Sequence, residues 1–157
     1  MNFIQICAHI GWDSLSDPRA GEKMNGIMVK PQKPVFEVLV KRFQEFKNIV
    51  FQNIAVMPDN SERQLFKVKI AEKDWRTILT LFDKVLLKKR IEQSWFRNKC
   101  AAEGFDLPAN VDDAITSEMV ICKTIQTIMT YHDFSELNLL FTDAEGADFD
   151  IIYNIDF

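Results

Sequence analysis

The sequence has little of what makes a chain disordered, fibrous or disulfide-bonded. Only five Gly and five Pro occur in 157 residues, whereas 47% of the side chains are hydrophobic and 13 are Phe. Such a composition excludes an intrinsically disordered chain and a collagen-like repeat. The three cysteines, Cys7, Cys100 and Cys122, are odd in number and widely spaced, which argues against a disulfide framework or a paired-cysteine zinc site. We therefore expect reduced, buried thiols.

Long apolar runs are also missing. Uninterrupted runs such as residues 54–57 and 119–122 are a handful of residues long, far below the roughly 20 that span a bilayer. Residues 1–6 lack the basic region and apolar stretch of a secretory signal. The sequence therefore predicts no membrane span and a cytoplasmic location. Its length is that of one compact core, so we expect residues 1–157 to form a single globular domain.

The first half of the chain contains sequence patterns typical of β-strands and of α-helices. A β-prone run predicts a strand over residues 3–9, and a concentration of Gly, Asp, Ser and Asn predicts a long loop over residues 11–26. Apolar residues at helical spacing predict a helix over residues 34–47. Residues 49–70 are predicted to form a β-hairpin, because two Ile- and Val-rich runs flank the turn sequence Pro-Asp-Asn-Ser.

The second half is predicted to begin with a long helix over residues 72–100, whose length suggests a bend. Asn110 is predicted to cap a third helix that continues to residue 129, since apolar side chains recur there every three or four residues. Two strand-like runs, residues 137–142 and 149–156, predict a closing hairpin. These elements indicate an α+β fold, with a mostly antiparallel sheet of about five strands and about three helices packed on one side.

Catalytic and metal-binding signatures are absent from the sequence. The acids between residues 143 and 150 resemble a hard-cation site, but they lack the full calcium-binding spacing. Cys7 and His9 lack the second close pair that a zinc site needs. The cysteines occupy apolar periodic positions, where a reactive thiolate is disfavoured. We expect no cofactor, no metal and no catalytic residue, and hence a binding protein rather than an enzyme.

Charge is divided unevenly along the chain. Residues 1–100 carry 18 Lys and Arg against 11 Asp and Glu, whereas residues 101–157 carry Lys123 alone against 12 acids. An acidic surface attracts basic partners and repels phosphate. Part of this charge is expected to be neutralised inside the fold, where the basic half of the long helix faces the acidic third.

Two alternatives to an acidic binding surface remain open. The basic stretch of residues 84–99 contains Trp95 and Phe96, and such a stretch is able to contact nucleic acid. The acidic overall balance, with a pI of about 5.2, disfavours this interpretation. The second alternative is a small enzyme whose site lies in the loop of residues 11–26 and uses His9, Asp13 or Asp17.

A small, acidic single domain without a catalytic signature resembles the immunity proteins that bacteria pair with secreted toxins, such as those of contact-dependent growth inhibition systems. The resemblance lies in size, charge and lack of motif. It implies a protein that binds a cognate basic toxin domain, commonly a nuclease, and blocks its active site. Carboxylates on a rigid hairpin are suited to this role because they accept hydrogen bonds from Lys and Arg. The candidate partner-binding residues are Asp143, Glu145, Asp148 and Asp150, followed by Asp133 and Glu136.

Overall fold

The computed structural model describes residues 1–7, 24–69, 79–144 and 146–155, and these form an α+β fold with two sheets of four strands each. None of the described helices is long and apolar enough to cross a membrane. The strands are β1 (Asn2–Ile6), β2 (Asn25–Val29), β3 (Ile49–Gln52), β4 (Ala55–Val56), β5 (Ser61–Val68), β6 (Thr80–Leu81), β7 (Ile115–Lys123) and β8 (Leu139–Phe141). The α-helices are α1 (Lys33–Phe43), α2 (Lys84–Glu92), α3 (Ser94–Ala102), α4 (Ile125–Tyr131) and α5 (Asp148–Tyr153), and a 3-10 helix spans Val111–Ala114.

The first sheet is parallel, with strand order β3-β2-β1-β8. Ile4 on the central strand β1 pairs with Ile27 on one side and with Leu140 on the other. A hydrogen bond links the amino end of β1 to the segment before β8: the backbone N–H of Asn2 donates to Oδ1 of Asn138 at 2.7 Å. The expected single, mostly antiparallel sheet of about five strands with about three helices is therefore wrong, because the described residues form two four-stranded sheets and five α-helices, and the first sheet is parallel.

Helices cover both faces of this first sheet. Phe3 packs in one apolar cluster with Leu39 of α1, whereas Ile4 packs in another with Ile128 of α4 and Ile151 of α5. Neighbouring residues of a strand point to opposite faces, so α1 lies on one face and α4 and α5 lie on the other. The prediction of helices on one side is wrong here. A parallel sheet is buried on both faces, since its crossover connections place helices there.

The predicted first strand and first helix are confirmed as β1 and α1. Pro34 lies in the first turn of α1, where its missing N–H costs nothing. The predicted loop of residues 11–26 lies largely outside the described residues, but its last two residues open β2, a strand that the sequence did not predict. The sequence predicts a turn at Gly26, which lies within β2 instead.

The chain divides into two compact units, one formed by Met1–Glu62 with Val120–Phe157 and the other by Arg63–Met119. The first unit holds the parallel sheet with α1, α4 and α5. The second unit holds α2, α3 and the 3-10 helix around an apolar core that includes Leu87, Ile91, Phe96 and Cys100. The strand order of the second sheet is β4-β7-β5-β6.

The predicted hairpin over residues 49–70 is wrong. Its first run divides into β3, which joins the parallel sheet, and β4, which pairs in parallel with β7 through Ala55 and Cys122. Strand β7 lies between β4 and β5 in the second sheet, so the two predicted hairpin strands are not neighbours. Pairing with distant strands has replaced the local pairing that the turn sequence suggested.

The predicted helix over residues 72–100 is also wrong as a single element. Residues 70–78 lie outside the described part, and Thr80–Leu81 forms strand β6, antiparallel to Phe66 and Lys67. Helix α2 begins only after Asp83, whose carboxylate accepts hydrogen bonds from the backbone N–H groups of Val85 and Leu86. Gln93 has extended backbone angles, so the predicted bend is a complete break between α2 and α3.

The predicted helix over residues 110–129 contains three different elements. Asn110 does accept a hydrogen bond from the Asp112 N–H, but it caps the short 3-10 helix. Strand β7 follows, which suits the β-branched residues of this stretch. Thr124 then caps α4 by accepting from the Thr127 N–H. The three- or four-residue spacing of apolar side chains predicted one continuous helix, and this prediction is wrong.

The predicted carboxy-terminal hairpin is wrong as well. Strand β8 pairs in parallel with β1, and the second run, expected to be a strand, forms helix α5. Asp143 therefore lies in a loop, and Asp148 and Asp150 lie in a short helix, rather than on two antiparallel strands.

Candidate functional site

Helix α5 presents two aromatic side chains to solvent. Phe149 is 74% exposed and Tyr153 is 77% exposed. Their rings stack with centroids 5.8 Å apart and an interplanar angle of 19°. Residues four apart lie on the same face of a helix, so the stack forms one continuous apolar surface. Ile152 beside it is 44% exposed.

The opposite side of α5 holds the helix on the protein. Ile151 is buried in the cluster that includes Ile4 and Ile27 of the parallel sheet. Its backbone N–H donates to the carbonyl of Ala147 at 3.0 Å, which closes the first turn. Because Ile151 faces inwards, the helix cannot turn to bury Phe149 and Tyr153 without losing this packing.

Asp148 organises the loop that leads into α5. Its carboxylate accepts hydrogen bonds from the Thr142 hydroxyl, from the Ala144 N–H at 2.7 Å and from the Gly146 N–H at 3.3 Å. Partial burial acts to raise the pKa of Asp148, but these hydrogen bonds outweigh it and hold the pKa below its ordinary value. The carboxylate of Asp148 is thus occupied by its own loop.

The other acids of this segment face solvent. Asp143 and Asp150 are exposed, and neither carboxylate has a cationic partner in the described part of the chain. Glu145 lies outside the described residues. No Lys or Arg follows Lys123 in the sequence. We call α5 together with Asp143 the acidic-aromatic surface.

Asp133 and Glu136 do not belong to this surface. Both are exposed, but they precede β8, and the Glu136 carbonyl accepts a hydrogen bond from the Asn2 side chain at the amino end of β1. Asp143 follows the carboxyl end of β8. The five described acids among the six predicted from the sequence therefore form two groups, one before and one after β8.

Basic residues of the second unit are partly neutralised within it. The Lys88 Nζ lies 2.6 Å from Asp112 Oδ2, and the Lys84 Nζ lies 3.0 Å from Asp112 Oδ1. The hydrogen bond from Lys88 lowers the pKa of Asp112, with Lys84 adding to the effect, and the hydrogen bond to Asp112 raises the pKa of Lys88. The cations of residues 84–99 are therefore less available to phosphate than their number suggests.

Sequence reasoning missed the aromatic pair. Phe149 and Tyr153 are four residues apart, which is helical spacing, but the run was interpreted as a strand because Ile and Phe are common in strands. Among the described residues, no group of three His, Cys, Asp or Glu side chains is placed to hold a metal ion. Comparison with protein-family models, curated proteins and solved structures finds no match.

Proposed function

We propose that this protein is a non-catalytic inhibitor that binds a cognate basic toxin domain through the acidic-aromatic surface. The observation that carries the proposal is the exposed stack of Phe149 and Tyr153 on a helix that also presents Asp150. Aromatic side chains dominate the energetics of protein interfaces, because they bury much area at low entropic cost.

The charge of this surface specifies the kind of partner. Asp143 and Asp150 are exposed and unpaired with cations in the described part of the chain, so their carboxylates are free to accept charge-assisted hydrogen bonds from Lys or Arg. Cations of the partner are also attracted to the faces of aromatic rings. Together these groups fit the basic active-site face of a nuclease toxin, and the negative charge would accelerate encounter.

A growth assay tests this proposal. Basic nuclease-toxin domains, beginning with any encoded by a neighbouring gene, are expressed in cells together with the wild type or with Asp150→Lys. We expect the wild type to protect the cells and Asp150→Lys to protect them poorly, since a cation on the surface repels a basic partner. Glu37→Lys is the matched control, because Glu37 is an exposed acid on α1, on the other face of the parallel sheet. Equal protection by all three proteins would contradict the proposal.

A second candidate, a ligand site at the carboxyl edge of the parallel sheet, is favoured by the strand order. Strand order reverses between β1 and β8, and open parallel sheets bind ligands at the carboxyl ends of strands where this reversal occurs. Cys7, directly after β1, has a φ of 57°, an uncommon conformation that is concentrated at functional sites. Lys30, directly after β2, is buried, with 6% of its surface exposed.

This second candidate corresponds to the alternative raised from the sequence, a small enzyme whose site lies in residues 11–26, which follow β1. The residues expected to act there, His9, Asp13 and Asp17, lie outside the described part of the chain. A thermal-shift screen with nucleotides and sugar phosphates tests it. A ligand that raises the Tm of the wild type but not of Asp13→Asn or Asp17→Asn would support it, and a screen without such a ligand would count against it.

A further inference from the structure

A cavity of about 310 Å³ opens on the face of the first unit that carries α4. Its walls are chiefly hydrocarbon and are formed by Ile54, Ile121, Ile128 and the ring of Tyr131. Ile121 and Tyr131 are 49% and 77% exposed, so the cavity is open to solvent. This volume falls in the range of small-molecule sites, which are typically apolar with a few fixed polar groups.

The polar groups around the cavity are held in place. The Nε2 atoms of Gln52 and His132 lie 2.9 Å apart, and the Tyr131 ring meets the His132 ring edge to face at 4.9 Å. The hydroxyl of Thr127 accepts from the Asn60 side chain at 3.0 Å and contacts the Thr124 hydroxyl at 2.9 Å. These groups already have partners and are therefore not the ones that await a ligand.

Lys123 is different. Its side chain lines the cavity at the end of β7, and its backbone carbonyl accepts from the Met57 N–H at 3.0 Å, which fixes the position of its backbone. No described carboxylate lines the cavity or pairs with the Lys123 ammonium. The cavity thus combines an apolar wall with one unneutralised positive charge.

We propose that this cavity binds a small organic monocarboxylate, with its apolar body against the isoleucines and its carboxylate on the Lys123 ammonium. A single cation matches a single negative charge. A polyphosphate or a sugar is a poor fit, because the hydrocarbon wall cannot replace the water that such a molecule must lose. The volume accommodates a body of about two fused rings. This site is separate from the acidic-aromatic surface and does not depend on the inhibitor proposal.

The test uses 2-naphthoate and the uncharged 2-naphthalenemethanol as probes. Titration of isotope-labelled protein followed by NMR should show saturable shifts at the amides of Thr127, Tyr131 and His132. A weak dissociation constant on the order of 1 mM or below is expected for a ligand of this size. In Lys123→Met, 2-naphthoate should bind about tenfold more weakly, the loss expected for one charge-assisted hydrogen bond. Binding of the alcohol should be unchanged.

Two further variants make the result decisive. Lys41→Met, an exposed lysine of α1 on the other face of the parallel sheet, should leave both probes unaffected. Ile121→Trp should fill the cavity and abolish binding of both probes, and it serves as the test if Lys123→Met does not fold. The proposal is overturned if 2-naphthoate gives no saturable shift at these amides. It is also overturned if Ile121→Trp still binds 2-naphthoate, or if a folded Lys123→Met binds it as tightly as the wild type.

Discussion

At the scale of single residues, Asp148 shows how a carboxylate chosen from the sequence for one role has another in the fold. It was a candidate for partner binding because it lies among other acids. Its oxygens instead receive the Thr142 hydroxyl and two backbone N–H groups of the loop before α5. Asp150, two residues later, is exposed. The two acids are thus a natural pair for separating stability from binding.

We expect Asp148→Asn to lower the free energy of unfolding by about 1.5 kcal/mol at neutral pH, since charge-assisted hydrogen bonds are lost. A carboxyl whose folded pKa lies below its ordinary value stabilises the fold above that ordinary value, near pH 4, and loses this effect as the pH falls through the folded pKa. The difference between wild type and variant should therefore shrink below about pH 4. Urea denaturation measures it, with Asp150→Asn as an unaffected control. A difference that persists in acid would contradict this role.

Two neighbouring aromatic residues of α3, Trp95 and Phe96, differ in how deeply they are buried. Phe96 is fully buried in the core of the second unit, whereas Trp95 is 46% exposed and its indole N–H donates to the Gln93 side chain at 2.6 Å. We expect Phe96→Ala to cost about 4 kcal/mol and Trp95→Ala less than about 1 kcal/mol in urea denaturation. Equal costs would contradict this difference in burial between the two aromatic side chains.

At the scale of elements, the parallel pairing of β1 and β2 depends on a glycine. Phe3 pairs with Gly26, and a Cβ atom at Gly26 would overlap the buried Phe3 ring. We expect Gly26→Ala to destabilise the protein by about 2 kcal/mol through overpacking. Phe3→Leu should partly relieve the overlap, so the double variant should lose about 1 kcal/mol less than the sum of the two single losses. Strict additivity of the unfolding free energies would show that the two side chains do not meet.

Local signals predicted the elements whose contacts are local. Pro34 and the apolar spacing after it predicted α1, Asn110 was correctly identified as a cap, and the run at Phe3 predicted β1. The sequence predicts a helix where the structure has strand β7, because the apolar residues of β7 also fit a helical period and its pairing with β4 and β5 distinguishes the two. The order of the first sheet depends on the pairing of β1 with β8. A hydrogen bond between Asn2 and Asn138 links the chain at the amino ends of these two strands. Contacts so distant along the chain leave no periodic signal in the sequence.

The candidate site was predicted only in part for the same reason. The concentration of acids near the carboxyl end was visible in the sequence. The separation of the described acids into two groups, one before and one after β8, and the exposure of Phe149 and Tyr153 depend on helix α5 and the parallel sheet.

At the scale of the whole molecule, some of the acids from the acidic part of the chain form ion pairs and others do not. Asp112 and Glu118 pair with lysines inside the second unit. Asp143 and Asp150 do not pair with cations in the described part of the first unit. Two exposed carboxylates thus lie on the acidic-aromatic surface, whereas the exposed acids Glu37, Asp133 and Glu136 lie elsewhere on the first unit. Binding of a basic partner to the acidic-aromatic surface should weaken as salt concentration rises, since exposed charges are screened.

The most direct test of the inhibitor proposal is calorimetric titration of basic nuclease-toxin domains, beginning with any encoded by a neighbouring gene, with three forms of the protein. The wild type and Tyr131→Ala should bind with the same dissociation constant, whereas Tyr153→Ala should bind about 30-fold more weakly, as expected for loss of an interface aromatic. Tyr131 and Tyr153 are both 77% exposed, so the comparison isolates position rather than residue type. Equal binding by all three forms, or no binding by the wild type, would contradict the proposal.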